Sequence, residues 1–170
     1  MFGTVGKSLR IDKPCILQGK GIKKVCIGDS VWIQEHSIIG CWTEYGGKHF
    51  QPSISIGNNC NIGANNHISA CNRIEIGDGL LTGRFVYIGD NSHGGLSWEE
   101  SEIPPSKRHL QSKGEIVIGR NVWIGDKVSI LGGVTIGDNV IIGAGSIVTH
   151  DIPCNCMAAG VPAKIVKKLN

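Results

Sequence analysis

Aliphatic residues recur at every sixth position along the second half of the chain, without a gap from Ile118 to Pro153. Glycine follows four of the six residues that open these hexamers, and the fifth positions are small or aliphatic. The openers are Ile118, Ile124, Ile130, Ile136, Ile142 and Val148. A period of six fits neither a surface helix nor a single hairpin. It predicts a coiled ribbon in which each hexamer supplies one short strand and one corner.

The same register extends towards the N-terminus. The earlier openers are Ile27, Ile33, Ile39, Ile56, Ile62, Ile68, Ile76, Thr82 and Ile88. Two additional residues before Ile76 indicate a bulge at one corner. The pattern predicts an all-β fold, a left-handed parallel β-helix of five to six coils, which is a known exception to right-handed crossovers.

The chain length of 170 residues suits one domain with a single core. Residues 1–26 are expected to form a degenerate first coil, because a terminal repeat must cap the stack. Residues 27–153 are expected to form the regular β-helix. Residues 154–170 are predicted to be a short cap, either a strand or a helix, over the open end of the prism.

Two stretches, 45–55 and 94–116, interrupt the repeat and are predicted to be extruded loops, which in so regular a fold are more often functional than accidental. His93 ends the hexamer IGDNSH directly before the second loop. We therefore expect His93 to be the last residue of regular coil, at a corner beneath a flexible cover. Imidazole accepts a proton near neutral pH, so His93 is the candidate general base. Asp90 or a main-chain carbonyl is expected to orient its second ring nitrogen.

Composition narrows the function classes. The net charge is +3 and no run of Lys and Arg is interleaved with aromatic residues, which disfavours nucleic acid as a partner. We find neither a signal peptide nor an apolar run near the ~18 residues of a membrane span, so we expect a cytoplasmic protein without an integral membrane segment. The seven cysteines are scattered without a CxxC motif. They are interpreted as reduced structural thiols, and no metal site is predicted.

The segments IGDNVIIGAGSIVTHDIP at 136–153 and AAGVPAKIV at 158–166 resemble the hexapeptide-repeat acyltransferases, in particular bacterial sugar O-acetyltransferases. IGDNSHG before the second loop and NVWIGD after it are more similar still to acetyltransferases that modify lipopolysaccharide and other surface polysaccharides. The resemblance implies acetyl-CoA as the donor substrate and a sugar or glycan precursor as the acceptor. The flat sides of such a prism need partners, so we expect a homotrimer with active sites between subunits.

The resemblance also implies roles for individual residues. His93 falls on the family's catalytic base, and Asn65 on an asparagine that helps to hold the acceptor. The positions implied to contact the donor are Trp123, Asp126, Ala144, Thr149, Lys164 and Lys167. Trp123 and Ala144 would line the pantetheine arm, and the lysines would lie near the adenosine phosphates. The sugar acetyltransferases carry a serine at the position of Asp126, so only the backbone N–H of Asp126 is expected to stabilise an oxyanion.

The predicted function is direct acetyl transfer from acetyl-CoA to a sugar hydroxyl of a lipopolysaccharide or other surface-glycan precursor, with His93 as general base. Alternatives remain open from the sequence. N-acetyltransferases of amino sugars or nucleotide sugars, and xenobiotic acetyltransferases, share the fold and the donor. A non-catalytic β-helix scaffold is a further alternative, in which the identities of His93, Trp123 and Lys164 would be incidental.

Overall fold

In the computed structural model, which describes residues 2–169, the chain winds through three parallel sheets that form the sides of a prism. Met1 and Asn170, the outermost residues of the predicted first and last segments, lie outside the described residues. The prediction of a left-handed parallel β-helix is confirmed. Each coil contributes one strand to each sheet, and six complete coils are present.

The strands follow one another in the order expected for a coiled ribbon. The first three coils contain β1 Thr4–Val5, β2 Arg10–Ile11, β3 Ile16–Gln18, β4 Val25–Ile27, β5 Trp32–Ile33, β6 Ile38–Cys41, the hairpin β7 Glu44–Tyr45 and β8 Lys48–His49, then β9 Ser53–Ile56, β10 Asn61–Ile62 and β11 His67–Ala70. The fourth coil contains β12 Arg73–Ile76, β13 Leu81–Thr82 and β14 Tyr87–Gly89, followed by β15 Asn91–His93, helix α1 Trp98–Ser101 and β16 Leu110–Ser112. The remainder contains β17 Ile116–Ile118, β18 Trp123–Ile124, β19 Ser129–Leu131, β20 Thr135–Ile136, β21 Ile141–Ile142, β22 Ile147–Val148, β23 Cys156–Ala159 and β24 Lys164–Lys168.

We name the three sides by their strands. Sheet A has the order β1-β4-β9-β12-β17-β20, sheet B the order β2-β5-β10-β13-β18-β21-β23-β24, and sheet C the order β3-β6-β11-β14-β19-β22. The chain passes from A to B to C within each coil. All six hexamer openers of the second half are at most 1% exposed, so they stack inside the prism as the period predicts. Burying each such side chain contributes about 1.5–3 kcal/mol, which makes this stack the main source of stability.

The corner between sheets A and B is built from residues in the left-handed conformation. Ser30, Asn59, Asn121, Asn139 and Asn155 all have φ between 54° and 59°. Asparagine tolerates this region better than most residues, which explains why the repeat places it there. The Asn139 side-chain amide donates to Asn155 Oδ1 at 2.9 Å, so the corner also carries a side-chain ladder.

Strands form both ends of the prism. The first coil pairs in regular register with the second, with Ile16 opposite Ile38, although Ile16 is 49% exposed. At the other end the structure places the strand β24, which runs antiparallel to β23 and continues sheet B. No helix within residues 2–169 has the length and apolar character needed to cross a bilayer.

The two interruptions of the repeat have secondary structure of their own. The first contains the β7–β8 hairpin, in which Tyr45 is paired with Lys48. The second begins with an antiparallel ribbon of β15 and β16, in which His93 is paired with Leu110. The regular coil therefore ends at Gly89. The expectation that His93 closes a regular coil is wrong, because His93 lies in a strand that has already left the prism.

Candidate active site

His93 lies in an aromatic cleft between the prism and the two extruded segments. Its ring meets the ring of Tyr45 nearly edge to face, with 5.1 Å between centroids and an interplanar angle of 68°. Tyr45 in turn packs against Trp42 at 5.8 Å and 89°. The His93 side chain is exposed and makes no hydrogen bond to any residue in 2–169. Its nitrogens are therefore available to a ligand.

The floor of this cleft is the outer face of sheet C. The cleft has a volume of about 310 Å³ and is lined by Gln18, Trp42, Tyr45, His67, Ser69, Tyr87, Asn91, His93 and Leu110. We call it the His93 cleft. Aromatic faces combined with hydroxyl and amide groups suit a sugar ring, which presents both C–H surfaces and hydroxyl groups.

His67 is the second imidazole of the His93 cleft. Its ring packs against Tyr87 at 5.6 Å, and burial lowers the pKa of His67 below the usual histidine value. The Nε2 atom of His67 is buried and has no hydrogen-bond partner within residues 2–169. His67 is thus neutral at pH 7, and it is a poorer candidate for a charged role than His93. No group of three His, Cys, Asp or Glu side chains in the described part of the chain is arranged to hold a metal ion.

Asp90 does not orient His93 in this structure. Its carboxylate is 1% exposed and accepts hydrogen bonds from the backbone N–H groups of Cys71 and Asn72, at 2.8 and 2.9 Å. Asn91 Nδ2 also donates to Asp90 Oδ1, at 3.1 Å. Cys71 and Asn72 are the two additional residues of the predicted corner bulge. Asp90 therefore stabilises the backbone of that bulge, and the expected contact with His93 is corrected.

Asn65 lies outside the His93 cleft. It is at the corner between sheets B and C, with φ of 60°, and its backbone N–H donates to the Glu35 carbonyl at 3.0 Å. The other left-handed residues of this corner are His36, Phe85, Lys127 and Gly145. Within a single chain, the structure does not bring Asn65 to His93.

Three of the predicted donor-binding residues do come together. Trp123, Asp126 and Ala144 line a groove of about 430 Å³ on sheet B and its corner with sheet C. Ile141, Ile142, Met157 and the glycines Gly83, Gly125 and Gly143 complete its lining. We call it the Trp123 groove. A Cβ at Gly125 would lie 2.7 Å from the Ala144 backbone nitrogen, so glycine is needed there for the two coils to stack.

One backbone donor in the Trp123 groove lacks a partner. The Arg84 N–H donates to Asp126 Oδ1 at 2.9 Å, so the Asp126 side chain satisfies a backbone donor of the preceding coil. The residue that occupies the same position one coil later is Ala144, which has no side-chain acceptor. The Asp126 N–H consequently makes no hydrogen bond within residues 2–169. It is open to a carbonyl oxygen placed in the groove.

The remaining donor-binding candidates are spread over two places. Lys167 is paired with Met157, and Lys164 with Ala159, so both lysines lie on the edge of sheet B beside the Trp123 groove. Thr149 follows the last strand of sheet C and is hydrogen bonded to His150 Nδ1 at 2.8 Å. The structure therefore does not bring Thr149 to the wall that carries Trp123.

The His93 cleft and the Trp123 groove share no lining residue. The first is on the outer face of sheet C and the second is on sheet B. Sequence reasoning did not identify Trp42, Tyr87 and Ser69 as parts of the cleft. The position of Tyr87 could have been predicted, because it precedes the inward-facing opener Ile88 and must therefore face outwards. It is paired with His67 on the neighbouring coil. The position of Trp42 could not have been predicted, since Trp42 follows the regular coil, whereas Tyr45 begins the predicted loop 45–55.

Residues 115–150 match the family model described as the bacterial transferase hexapeptide with six repeats. Residues 53–80 match a second model, the hexapeptide repeat of succinyl-transferase. Both stretches thus carry the hexapeptide repeat of this group of transferases.

Two curated hexapeptide-repeat relatives come from Escherichia coli K12. The putative lipopolysaccharide biosynthesis O-acetyl transferase WbbJ is 42% identical over 108 residues, which cover 61% of this chain and 55% of WbbJ. Galactoside O-acetyltransferase is 37% identical over 149 residues, which cover 85% of this chain and 64% of the relative. The chain thus spans less than two thirds of the length of these curated relatives.

Solved hexapeptide-repeat structures resemble the whole chain. A maltose O-acetyltransferase from Clostridium difficile 630 has a TM-score of 0.65 and 27% identity. The match covers 99% of this chain and 71% of the chain of that enzyme. Galactoside acetyltransferase in complex with coenzyme A has a TM-score of 0.63 and 29% identity. The match covers 100% of this chain and 66% of the galactoside acetyltransferase chain. The N-acyltransferase AntD from Bacillus cereus has a TM-score of 0.80 at 23% identity, covering 99% and 85%, which is a likeness of fold alone.

Proposed function

We propose that this protein is an acetyl-CoA-dependent O-acetyltransferase that acts on a sugar hydroxyl of a lipopolysaccharide or other surface-glycan precursor. The observation that carries the proposal is the exposed His93 imidazole in a cleft lined by Trp42, Tyr45 and Tyr87. Such a cleft offers a base together with flat faces for a sugar ring. The likeness to WbbJ and to galactoside O-acetyltransferase supports oxygen as the accepting atom.

The Trp123 groove suits an acetyl-CoA molecule. Its floor of Trp123, Ile141 and Met157 is apolar, as the stem of the pantetheine arm requires. The unpartnered Asp126 N–H supplies a donor for a carbonyl oxygen. Lys164 and Lys167 at the edge of the sheet supply positive charge for phosphates. The solved galactoside acetyltransferase with bound coenzyme A supports the same ligand here.

In the proposed reaction His93 accepts the proton of the acceptor hydroxyl. The hydroxyl oxygen bonds to the acetyl carbon while the carbon–sulfur bond of the thioester breaks, and His93 passes the proton to the departing thiolate. A backbone N–H aimed at the acetyl oxygen stabilises the negative charge that develops on it. The rest of the acceleration comes from holding both substrates in one place.

We further propose that the complete site is formed between subunits of a homotrimer. The His93 cleft and the Trp123 groove lie on different sheets of one chain, so one copy alone does not hold the donor beside the base. A neighbouring copy placing its Trp123 groove against the His93 cleft would bring them together. Use of acetyl-CoA and seven unpaired cysteines fit a cytoplasmic protein.

Calorimetric titration with acetyl-CoA and with CoA tests the donor half without any knowledge of the acceptor. We expect saturable binding of about one molecule per subunit, in the ~μM–mM range usual for enzyme substrates. Lys164→Ala and Lys167→Ala should each weaken it, because each removes a charge near the phosphates. Lys7→Ala, an exposed lysine of the first coil, is the matched control and should leave it unchanged. A folded protein that binds neither ligand would contradict the proposal and favour a scaffold.

A further inference from the structure

A second cavity, larger than the His93 cleft, opens at the corner between sheets C and A. Its volume is about 460 Å³. Three separate segments build it: the hairpin strand β8 with Lys48 and the following Phe50, the coil bulge with Cys71 and Asn72, and β16 with Gln111. We call it the corner pocket. It lies between the two interruptions, 45–55 and 94–116, and none of the predicted catalytic or donor-binding residues lines it.

The corner pocket adjoins the His93 cleft. Leu110 lines both cavities. The β7–β8 hairpin also joins them, because its paired residues Tyr45 and Lys48 contribute to different cavities: Tyr45 meets His93, and Lys48 lines the corner pocket. The two cavities are therefore neighbours on either side of Leu110 and the β7–β8 hairpin.

The polar groups of the corner pocket favour a negatively charged ligand. The Lys48 ammonium lies 5.8 Å from the Phe50 ring centroid and has no salt bridge to a residue in the described chain. A second ammonium, Lys24, donates to Gln51 Oε1 at 3.2 Å on the pocket wall. Burial, and then the Asp90 carboxylate, raise the pKa of Cys71 to about 12, so this thiol is neutral.

The nearby carboxylates are already engaged. Asp90 lies behind the pocket floor and is held by the Cys71 and Asn72 N–H groups. Glu100 accepts from Gln111 Nε2 at 2.8 Å and from the Gly95 N–H. Glu44, at the other end of the hairpin, is paired with Lys20 at 2.9 Å. Lys48 is the one charged side chain that lines the pocket, and it has no hydrogen-bond or ion-pair partner among the described residues.

We propose that the corner pocket binds an anionic group, a phosphate or a carboxylate, of the same acceptor whose sugar hydroxyl faces His93. This inference rests on the proposed function and narrows its acceptor to charged glycan precursors. Lys48 supplies the counter-charge, and Phe50 packs against the sugar part next to the anion. The side-chain amide of Asn72 is placed to donate a hydrogen bond to the same group.

Fluorine NMR detects such a ligand directly, because the chain has only three phenylalanines, Phe2, Phe50 and Phe85. Protein labelled with fluorophenylalanine would be titrated with glucose 1-phosphate, with glucuronate and with neutral methyl glucoside. A Phe50→Leu variant assigns the Phe50 signal. We expect that signal to shift at about fivefold lower concentration of an anionic probe than of methyl glucoside, the upper range for an exposed ion pair. Whichever anionic probe binds more tightly identifies phosphate or carboxylate as the group.

Lys48→Gln keeps the length and hydrogen bonding of the side chain but removes its charge. It should abolish the preference for the anionic probes, while the matched variant Lys7→Gln should retain it. Equal midpoints for all three probes, no shift of the Phe50 signal, or a preference that survives Lys48→Gln would each overturn the proposal.

Acetyl-CoA titration of the same samples separates the two proposals. Normal acetyl-CoA binding without a charge preference at Phe50 would remove the anion pocket and leave the transferase. A charge preference without acetyl-CoA binding would remove the transferase and leave an anion site.

Discussion

The His93 cleft and the Trp123 groove are built from the same chain by different means. Every side chain of the Trp123 groove lies on the regular repeat or on the strand that continues it, so its position follows from the six-residue period. The His93 cleft combines one face of the repeat with Tyr45 and His93, which belong to segments that have left the prism. The groove is thus specified locally, and the cleft depends on contacts between distant parts of the chain.

This difference corresponds to the two substrates of the proposed reaction, the donor in the Trp123 groove and the acceptor in the His93 cleft. A groove specified by the repeat keeps its shape as long as the coils stack, which suits a donor that stays the same. A cleft bounded by extruded segments changes whenever those segments change, which suits an acceptor that varies between related enzymes. The comparison predicts that substitutions in the cleft alter turnover and acceptor choice, whereas substitutions in the groove alter donor affinity.

The largest effect is expected from His93→Ala. Removing the base should lower kcat by about 10²–10⁴-fold, the usual contribution of general base catalysis. Acetyl-CoA affinity should stay within about twofold, because His93 is not part of the Trp123 groove. Steady-state kinetics and calorimetry on the same preparation measure both quantities.

His49→Ala is the control for His93→Ala, since His49 is an exposed histidine of the neighbouring hairpin that lines neither cavity. It should retain nearly full turnover. If His93→Ala kept near-normal turnover as well, the assignment of His93 as base would be wrong.

The second prediction concerns Ala144→Asp. An aspartate at this position would accept the Asp126 N–H, as Asp126 itself accepts the Arg84 N–H. The groove would lose the Asp126 N–H as a donor and gain a negative charge, so acetyl-CoA affinity should fall by at least about tenfold. The melting temperature should rise by about 2 °C, since the corner gains a hydrogen bond. Calorimetry and thermal unfolding give the two readouts.

Ala144→Asn separates the two causes, because it supplies the acceptor without the charge. A smaller loss of affinity than in Ala144→Asp would attribute the difference to charge.

Coexpression of His93→Ala with Ala144→Asp tests whether the two cavities meet across subunits. At an acetyl-CoA concentration too low to saturate Ala144→Asp, mixed assemblies that are more active than either variant alone support a shared site. Mixtures that are no more active than the two variants measured separately contradict it.

The smallest effect is expected from Asp90→Asn. One of the two backbone donors at the bulge would face an NH₂ group instead of an oxygen, which costs about 1–3 kcal/mol of unfolding free energy for a buried site. Acetyl-CoA binding should not change. Denaturant unfolding measures the loss, with Asp151→Asn as control, because Asp151 is exposed and accepts only one backbone bond, from Thr135 at 2.7 Å. Equal stability of the two variants would contradict the role given to Asp90.

The repeat allowed most of the fold to be predicted. The buried openers from Ile118 to Val148, the bulge before Ile76 and the positions of the two interruptions all follow from counting residues. The path of the extruded segments did not follow from it. The β15–β16 ribbon pairs residues 17 to 21 positions apart, such as His93 with Leu110, and no periodic pattern marks such a pairing.

The site was predictable to the extent that it lies on the repeat. Trp123, Asp126 and Ala144 converge because Trp123 and Asp126 lie in adjacent hexamers of one coil and Ala144 occupies the position of Asp126 in the next coil. Asp90 looked like a partner of His93 because the two are close in sequence. The Asp90 side chain instead points into the prism and reaches Cys71 and Asn72 in the coil before its own. Sequence proximity was a poor guide at the point where the chain leaves the prism.

Strand β24 has a consequence for how copies of this protein meet. A parallel stack with exposed backbone groups at its end is a template on which another molecule can polymerise. Here the edge of sheet B is occupied by a strand running in the opposite direction, and it carries Lys164, Lys167 and Lys168. An incoming coil would meet the wrong strand polarity and a row of like charges. At this edge, both strand polarity and like charge oppose the growth of a fibre by parallel stacking of coils.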